Sequence, residues 1–388
     1  MRRETLLTVI LMSMSVAIGA VGWSGQAGLL PVAVLFPLVW SRSPTRIAAA
    51  LVSTGYFLAA SHGLPVGVAQ FFGADLWVGL CFWIVAAVSF VAVHSALWAG
   101  SQGLGKALRY LLVMVLMAVP PFGIVGWAHP LNGAGILFPG WGWWGLLAMT
   151  AGLTGLVTRH GPAIAICLAG LWIWSAASGT EQILTEGWRG VDLEMGASLG
   201  RDQSLSRQRD LVEKVRIAAG GQEAVIVLPE SSLGFWTPTL EGFWRDQLRN
   251  AQITVIAGAA LVDPDGYDNV MVAIDAGGGR ILYHERMPVP VSMWRPWERW
   301  TGQVGSARAN FFENPVVEVA GRKIAPLICY EQLVLWPVLQ SMLHRPDAIV
   351  LIGNGWWTTG SNIVAIQRAS AKAWSDLFGT PLIISFNI

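Results

Sequence analysis

Three apolar runs in this chain each end on a residue that can do chemistry. Ala224-Val-Ile-Val-Leu-Pro-Glu230 delivers a carboxylate, Ala325-Pro-Leu-Ile-Cys329 a thiol, and Leu351-Ile-Gly-Asn354 an amide. A short continuous apolar run bounded by turn residues reads as a buried strand. In α/β sheets, ligands and reacting groups gather at the carboxyl ends of strands. A thiol there becomes a nucleophile when a neighbouring base takes its proton. Cys329 also precedes a helical pattern, whose N-terminus would lower the thiol's pKa. Tyr330, Glu331 and Trp356 flank these ends and, with Asn354, are candidates to hold a substrate. Plainer roles stay open. Glu230 can be a turn or capping group, Cys329 a small buried hydrophobe, and Asn354 a turn former.

Elements of alternating type position these ends. Val191–Met195, Ala224–Leu228, Thr254–Ala260, Ile324–Ile328, Ala348–Ile352 and Pro381–Ile384 read as strands. Val270–Ile274 and Arg280–His284 flank Ala276-Gly-Gly-Gly279, a hairpin signal. Leu205–Ala219, Leu240–Ala251, Glu331–Leu343 and Gly360–Leu377 have helical spacing. This alternation predicts an α/β sheet domain with both layers occupied.

The first half of the chain is of another kind. Seven apolar stretches fill it: Leu6–Trp23, Gly28–Trp40, Ile47–Ala60, Leu76–Trp98, Tyr110–Trp127, Trp141–Val157 and Ala163–Ala177. Its basic residues are Arg2 and Arg3, Arg42 and Arg46, Lys106 and Arg109, then Arg159, at the N-terminus and in alternate loops. Such a bias places basic loops in the cytoplasm. It predicts a multi-pass inner-membrane protein with a cytoplasmic N-terminus and a periplasmic C-terminal domain. The boundary falls in a composition shift at Thr180–Gly190, giving a transmembrane domain at 1–187 and an α/β domain at 188–388. A charged fraction of 13%, against about a quarter in soluble proteins, agrees. Net charge is +1, which gives no reason to expect nucleic acid as a partner. Three cysteines make no disulfide framework. Neither a metal nor a cofactor is called for.

Read together, the motifs carry a resemblance. Apolar segments precede a strand ending in Pro229-Glu230. Tyr267-Asp-Asn269 then precedes the Gly-rich hairpin, Tyr283 leads to Val289-Pro290, and Gly321-Arg-Lys-Ile324 leads to Ile328-Cys-Tyr-Glu331. The chain resembles the apolipoprotein N-acyltransferase-like membrane members of the carbon–nitrogen hydrolase (nitrilase) superfamily, among them conjugal transfer proteins of Agrobacterium-type plasmids. The resemblance implies a four-layer αββα sandwich, with Glu230 as general base and Cys329 as the nucleophile that forms a thioester. It implies acyl transfer or amide hydrolysis linked to plasmid conjugation. The implied partners are a membrane lipid or acylated substrate and proteins of the conjugation apparatus. Oligomeric state stays open.

The chain departs from the family pattern in two places. The family carries a lysine in a run like Tyr-x-Lys-x-x-Leu-Val-Pro-Phe-Gly-Glu, where this chain reads Tyr283-His-Glu-Arg-Met-Pro-Val-Pro-Val-Ser-Met293. Glu285 stands at the lysine position. Arg286 supplies a cation one residue on, but consecutive strand residues face opposite ways unless a bulge intervenes. Were Glu285 to face Cys329, two carboxylates and no cation would raise the thiol's pKa and oppose an oxyanion, and no acyl transfer is predicted. The alternative function is then a degenerate relative that binds or scaffolds in conjugation. The second departure is that the family pattern continues past the strand at Pro381–Ile384, so the sandwich is expected to be shortened at its C-terminus.

Overall fold

The computed structural model describes residues 2–100, 103–178, 186–198 and 205–388. Most of the expected Thr180–Gly190 boundary therefore lies outside the described residues. The chain divides into two compact units. One comprises Met1–Gln182, Leu333–Trp336 and Gly360–Gly379, and the other Ile183–Gln332, Pro337–Thr359 and Thr380–Ile388.

The first unit is helical. Arg3–Gly22, Leu76–Leu97 and Gly161–Ser178 are long and apolar enough to cross a membrane. Arg46–Ala60 and Leu64–Phe72 make a fourth candidate if the pair, bent by 58°, is counted as one span. This is fewer than the seven expected, and backbone chemistry supplies the reason. Gly28–Trp40 forms a 3-10 helix, Ala27–Leu35, with Pro31 inside it, and only then the short helix Phe36–Ser41. The helix entering Tyr110–Trp127 stops at Ala118, just before Pro120-Pro121. Gly142–Leu156 has 15 residues, about 22 Å at 1.5 Å per residue, against a hydrocarbon core of about 30 Å. The long helices expose large apolar side chains, among them Val85, Ile166, Ile173 and Trp174.

The second unit holds two sheets. The first runs in the order β1 (Trp188–Gly190), β2 (Ala224–Val227), β3 (Ile253–Asp263), β4 (Gly266–Asp275), β5 (Gly278–His284). The second runs β6 (Val317–Val319), β7 (Arg322–Ile328), β8 (Ala348–Asn354), β9 (Leu382–Asn387). β1, β2 and β3 are parallel, as are β7, β8 and β9. Buried on both faces, β2 and β8 read as unbroken apolar runs, as parallel strands do.

Two cores hold the layers. Helices Leu205–Ala219 and Pro238–Leu248 place Leu211, Val215, Trp244 and Leu248 against Ile226, Val255 and Val272 of the first sheet. On that sheet's other face, Val227, Ile256 and Met271 pack with Ile324, Val350 and Ile352 of the second. Two stacked sheets, with helices on the outer face of the first, make a layered α/β arrangement.

The expected strand Val191–Met195 is not one. β1 ends at Gly190, and Leu193 makes only an isolated bridge to Asn387. The Asp192 carboxylate accepts the Phe386 N–H at 2.8 Å, so a side chain takes over a backbone partner there. The expected helix Glu331–Leu343 also breaks. Cys329–Gln332 is a 3-10 turn, and the α-helix runs Leu335–Met342 with Pro337 in its first turn.

Candidate active site

Glu230 lies three residues beyond β2, and Cys329 directly follows β7. Both sit at strand carboxyl ends on the face where the two sheets meet. Gly258 of β3 lets the Glu230 turn come close, since a Cβ there would stand 2.5 Å from Glu230 Cα. Cys329 has φ +46°, a left-handed conformation that costs a non-glycine residue about 1–2 kcal/mol. Strain of this kind collects at working sites.

The Cys329 thiol lies against the Glu230 carboxylate, and the Asn354 backbone N–H serves both. Both side chains are buried, at 5% and 4% exposure. Burial above all raises the Glu230 pKa to about 7, with Asn269 and Cys329 pulling it back. The thiol is pushed well above its ordinary value by burial, then by Glu230 and Glu285. This corrects the lowering expected from a helix N-terminus, and its direction is that expected of a carboxylate at Glu285 beside Glu230. No α-helix begins at Cys329, and its charged neighbours are carboxylates.

Glu285 comes to the same place. Its backbone N–H donates to Asn269 O at 2.9 Å, extending the β4–β5 pairing by one residue. Asn269 Nδ2 donates to Glu230 Oε1 at 2.8 Å and to Glu285 Oε2 at 2.9 Å. Glu285 Oε1 is buried with no hydrogen-bond partner among the described residues. Burial, reinforced by Glu230 and Glu331, raises the Glu285 pKa well above the carboxylate range. Asn269, quoted above only within a motif, is the site residue that residue types alone do not reveal. Its signal was Tyr267-Asp-Asn269 ahead of the hairpin.

Arg286 does not take the lysine's place. A bulge does exist, since Met271 pairs with Tyr283 and Val272 with Ile281, leaving Leu282 extra. It lies upstream, so Glu285 follows Tyr283 by two residues on the same face. Arg286 is fully buried and spends its donors elsewhere. Nε donates to Tyr283 Oη at 2.8 Å, one terminal nitrogen to Gln340 Oε1 at 2.9 Å, and the other to Ser341 Oγ at 2.9 Å and Pro326 O at 3.4 Å.

Glu331, expected to touch substrate, is fully buried in the same cluster. It accepts from Tyr283 Oη, and from the backbone N–H groups of Arg286, Met287 and Ile328 at 2.7 to 3.1 Å. Burial keeps its pKa raised even with Arg286 beside it. These donors tie Glu331 to the chain on either side of Glu285 and just before Cys329.

Asn354 Oδ1 accepts from Asn387 Nδ2 at 2.8 Å. Tyr330 and Trp356 are half-buried beside the site strands. A groove of about 630 Å³ lies among Trp294, Arg295, Glu298, Arg308 and Phe311 and includes Asn310. The Asn310 amide donates to the backbone Glu285 O at 3.3 Å. Among the described residues no three His, Cys, Asp or Glu side chains group to hold a metal ion.

Stacked sheets with an acid and a thiol at facing strand ends place this chain in the nitrilase-like α/β class. It belongs to the carbon–nitrogen hydrolase family, matching it over residues 66–376. It is 59% identical over 395 residues to the conjugal transfer protein TraB of Agrobacterium fabrum strain C58, covering 99% of this chain and 94% of that one. It is also 59% identical over 387 residues to a probable conjugal transfer protein TraB of Sinorhizobium fredii strain NGR234, covering both chains fully. An amidase from Nesterenkonia sp. superposes with a TM-score of 0.39 at 12% identity, over 53% of this chain and 79% of that one. That likeness is too loose to add to the assignment.

Proposed function

We propose that this chain is a membrane-tethered thiol acyltransferase or amidase serving plasmid conjugation. The observation that carries the reading is the Cys329 thiol, held in a left-handed turn against the Glu230 carboxylate. Glu230 takes the thiol proton as Cys329 sulfur attacks an ester or amide carbonyl. The carbon–oxygen or carbon–nitrogen bond then breaks, and Glu230 returns the proton to the leaving group. An amine or water, deprotonated by Glu230, attacks the thioester and releases the thiol. A resting pKa near 7 suits a group that takes and gives a proton at neutral pH.

We place the first half in the inner membrane, with the N-terminus in the cytoplasm and the α/β unit in the periplasm. Three long apolar helices and the alternate basic loops support this. Lys106 Nζ donates to Ser41 O at 2.6 Å, so two of the basic loops meet at one end of the helical unit. A site tethered in this way suits a lipid-borne acyl group, and relatives named for conjugal transfer support the link to conjugation.

A second reading, a scaffold that has lost catalysis, is favoured by Glu285 standing where the family's lysine would be. Acyl-enzyme trapping separates the two. The purified full-length protein is mixed with p-nitrophenyl butyrate and its intact mass followed. A butyryl adduct in wild type that is absent from Cys329→Ala is the expected result. No adduct on Cys329 would leave the scaffold reading.

A further inference from the structure

Glu285 is buried, touches Asn269 through one carboxyl oxygen, and leaves the other oxygen with no partner among the described residues. A buried polar atom left this way costs stability and asks for a role. Its surroundings fix its protonation. Glu230 faces it from beyond β2, Asn269 from β4, and Cys329 and Glu331 from beyond β7. The next residue, Arg286, has its donors on Tyr283, Gln340, Ser341 and Pro326 O. Among the described residues no salt bridge reaches Glu230 or Glu285. Two buried carboxyls on one amide cannot both ionise, so the pair retains a proton. Glu230 is the better place for the charge, since Asn269, the Cys329 thiol and the Asn354 N–H all stabilise it. The retained proton falls to Glu285. It sits on Oε1, because Oε2 already accepts from Asn269.

We propose that Glu285 is a catalytic residue, a neutral carboxylic acid that donates its O–H to the oxyanion formed on the carbonyl Cys329 attacks. This rests on the reading that Cys329 is acylated. As the S–H proton passes to Glu230 and the carbon–sulfur bond forms, the carbonyl π pair moves to oxygen. That oxygen accepts a hydrogen bond from Glu285, and no proton is transferred. On collapse the π bond re-forms, the leaving group departs with the proton from Glu230, and Glu285 ends as it began. A neutral buried acid is a known kind of oxyanion donor. The substrate class is an acyl ester or amide whose intermediate needs a donor but no fixed counter-charge.

The test is the rate of Cys329 acylation by p-nitrophenyl butyrate across the neutral to alkaline range, in the full-length protein. Wild type should give a bell, rising as Glu230 ionises and falling as Glu285 does. Glu285→Gln keeps a donor that does not titrate, so it should acylate within about tenfold of wild type and lose the falling limb. Glu285→Ala should slow acylation about 10²–10³-fold. A reading independent of turnover is the infrared band of a protonated carboxyl at neutral pH. It should be present in wild type and Cys329→Ala and reduced by one carboxyl in Glu285→Gln, with Glu230 accounting for acid that remains near its own pKa of about 7. Matching pH profiles in wild type and Glu285→Gln, or no acid band in wild type, would overturn the role of Glu285 while leaving Cys329 as nucleophile. Wild type that acylates no better than Cys329→Ala would overturn both.

Discussion

Glu230 and Glu285 face each other across a single amide, each held within 2.9 Å of Asn269 Nδ2. Neither carboxyl has a cation beside it among the described residues. Two ionised carboxylates there would oppose an oxyanion, which is why Glu285 at the lysine position predicts an inert site. Burial removes that premise, because the pair holds on to a proton and the acid becomes a donor.

The pair should make stability depend on pH. Glu230 has a folded pKa of about 7 against about 4.5 unfolded. The folded state therefore binds that proton more tightly, and the group's contribution is fully present below about 4.5. It is lost as pH rises through about 7. At about 1.4 kcal/mol per unit the loss is on the order of 3 kcal/mol. Glu230→Gln should flatten the fall in thermal midpoint between those pH values and melt higher than wild type at neutral pH. A wild-type midpoint that climbs over that window would contradict the sign.

Cys329 should be a slow thiol at rest. Burial and two carboxylates raise its pKa, so alkylation by iodoacetamide should remain slow at neutral pH and accelerate only above the range of an ordinary cysteine. Cys81 and Cys167 lie on two of the long apolar helices proposed to cross the membrane, so their labelling is scored apart from that of Cys329. Replacing Glu230 by Gln removes the nearest negative charge and should move the Cys329 midpoint down. The labelled residue is identified by peptide mass. Rapid labelling of Cys329 at neutral pH would mean that another group stabilises its thiolate.

The sequence made some of this legible and hid the rest for physical reasons. β2, β3, β7 and β8 were readable because strands buried on both faces are written as unbroken apolar runs. Glu230 and Cys329 were readable because they end such runs. The extra residue at Leu282 was not, since a bulge in that hairpin has no residue signature; because it lies before Tyr283, it leaves Glu285 and not Arg286 on the face of the site. Protonation was hidden as well, because it depends on what surrounds a carboxyl in space. In the first half, hydropathy marked the apolar stretches but gave no weight to Pro31 and Pro120-Pro121, which break the helices they lie in or follow.

Topology is open to direct test. The contact between Lys106 and Ser41 groups two basic loops at one end of the helical unit. Alkaline phosphatase folds only outside the cytoplasm, so a fusion after Ser178 should be active and one after Lys106 inactive. The reverse pattern would put the α/β unit in the cytoplasm and remove the case for a periplasmic substrate.

Arg286 and Glu331 make a further prediction, about architecture. Both are fully exposed to the other's field and hidden from water, 4.0 Å apart, with Tyr283 Oη bonded to both. Glu331 also gathers three backbone N–H groups, from Arg286, Met287 and Ile328. These fix the chain on either side of Glu285 and just before Cys329. Removing one member of a buried pair strands the other's charge, at a cost of about 3–5 kcal/mol. Arg286→Met and Glu331→Ala should therefore both lower the thermal midpoint sharply and reduce the yield of folded protein. Arg286→Lys should rescue little, because one ammonium cannot reach Tyr283, Gln340 and Ser341 together. If Arg286 instead held an oxyanion, Arg286→Met would melt like wild type and lose only acylation. Melting curves beside the acylation rate separate the two, and a wild-type midpoint with lost acylation would refute the bracing role.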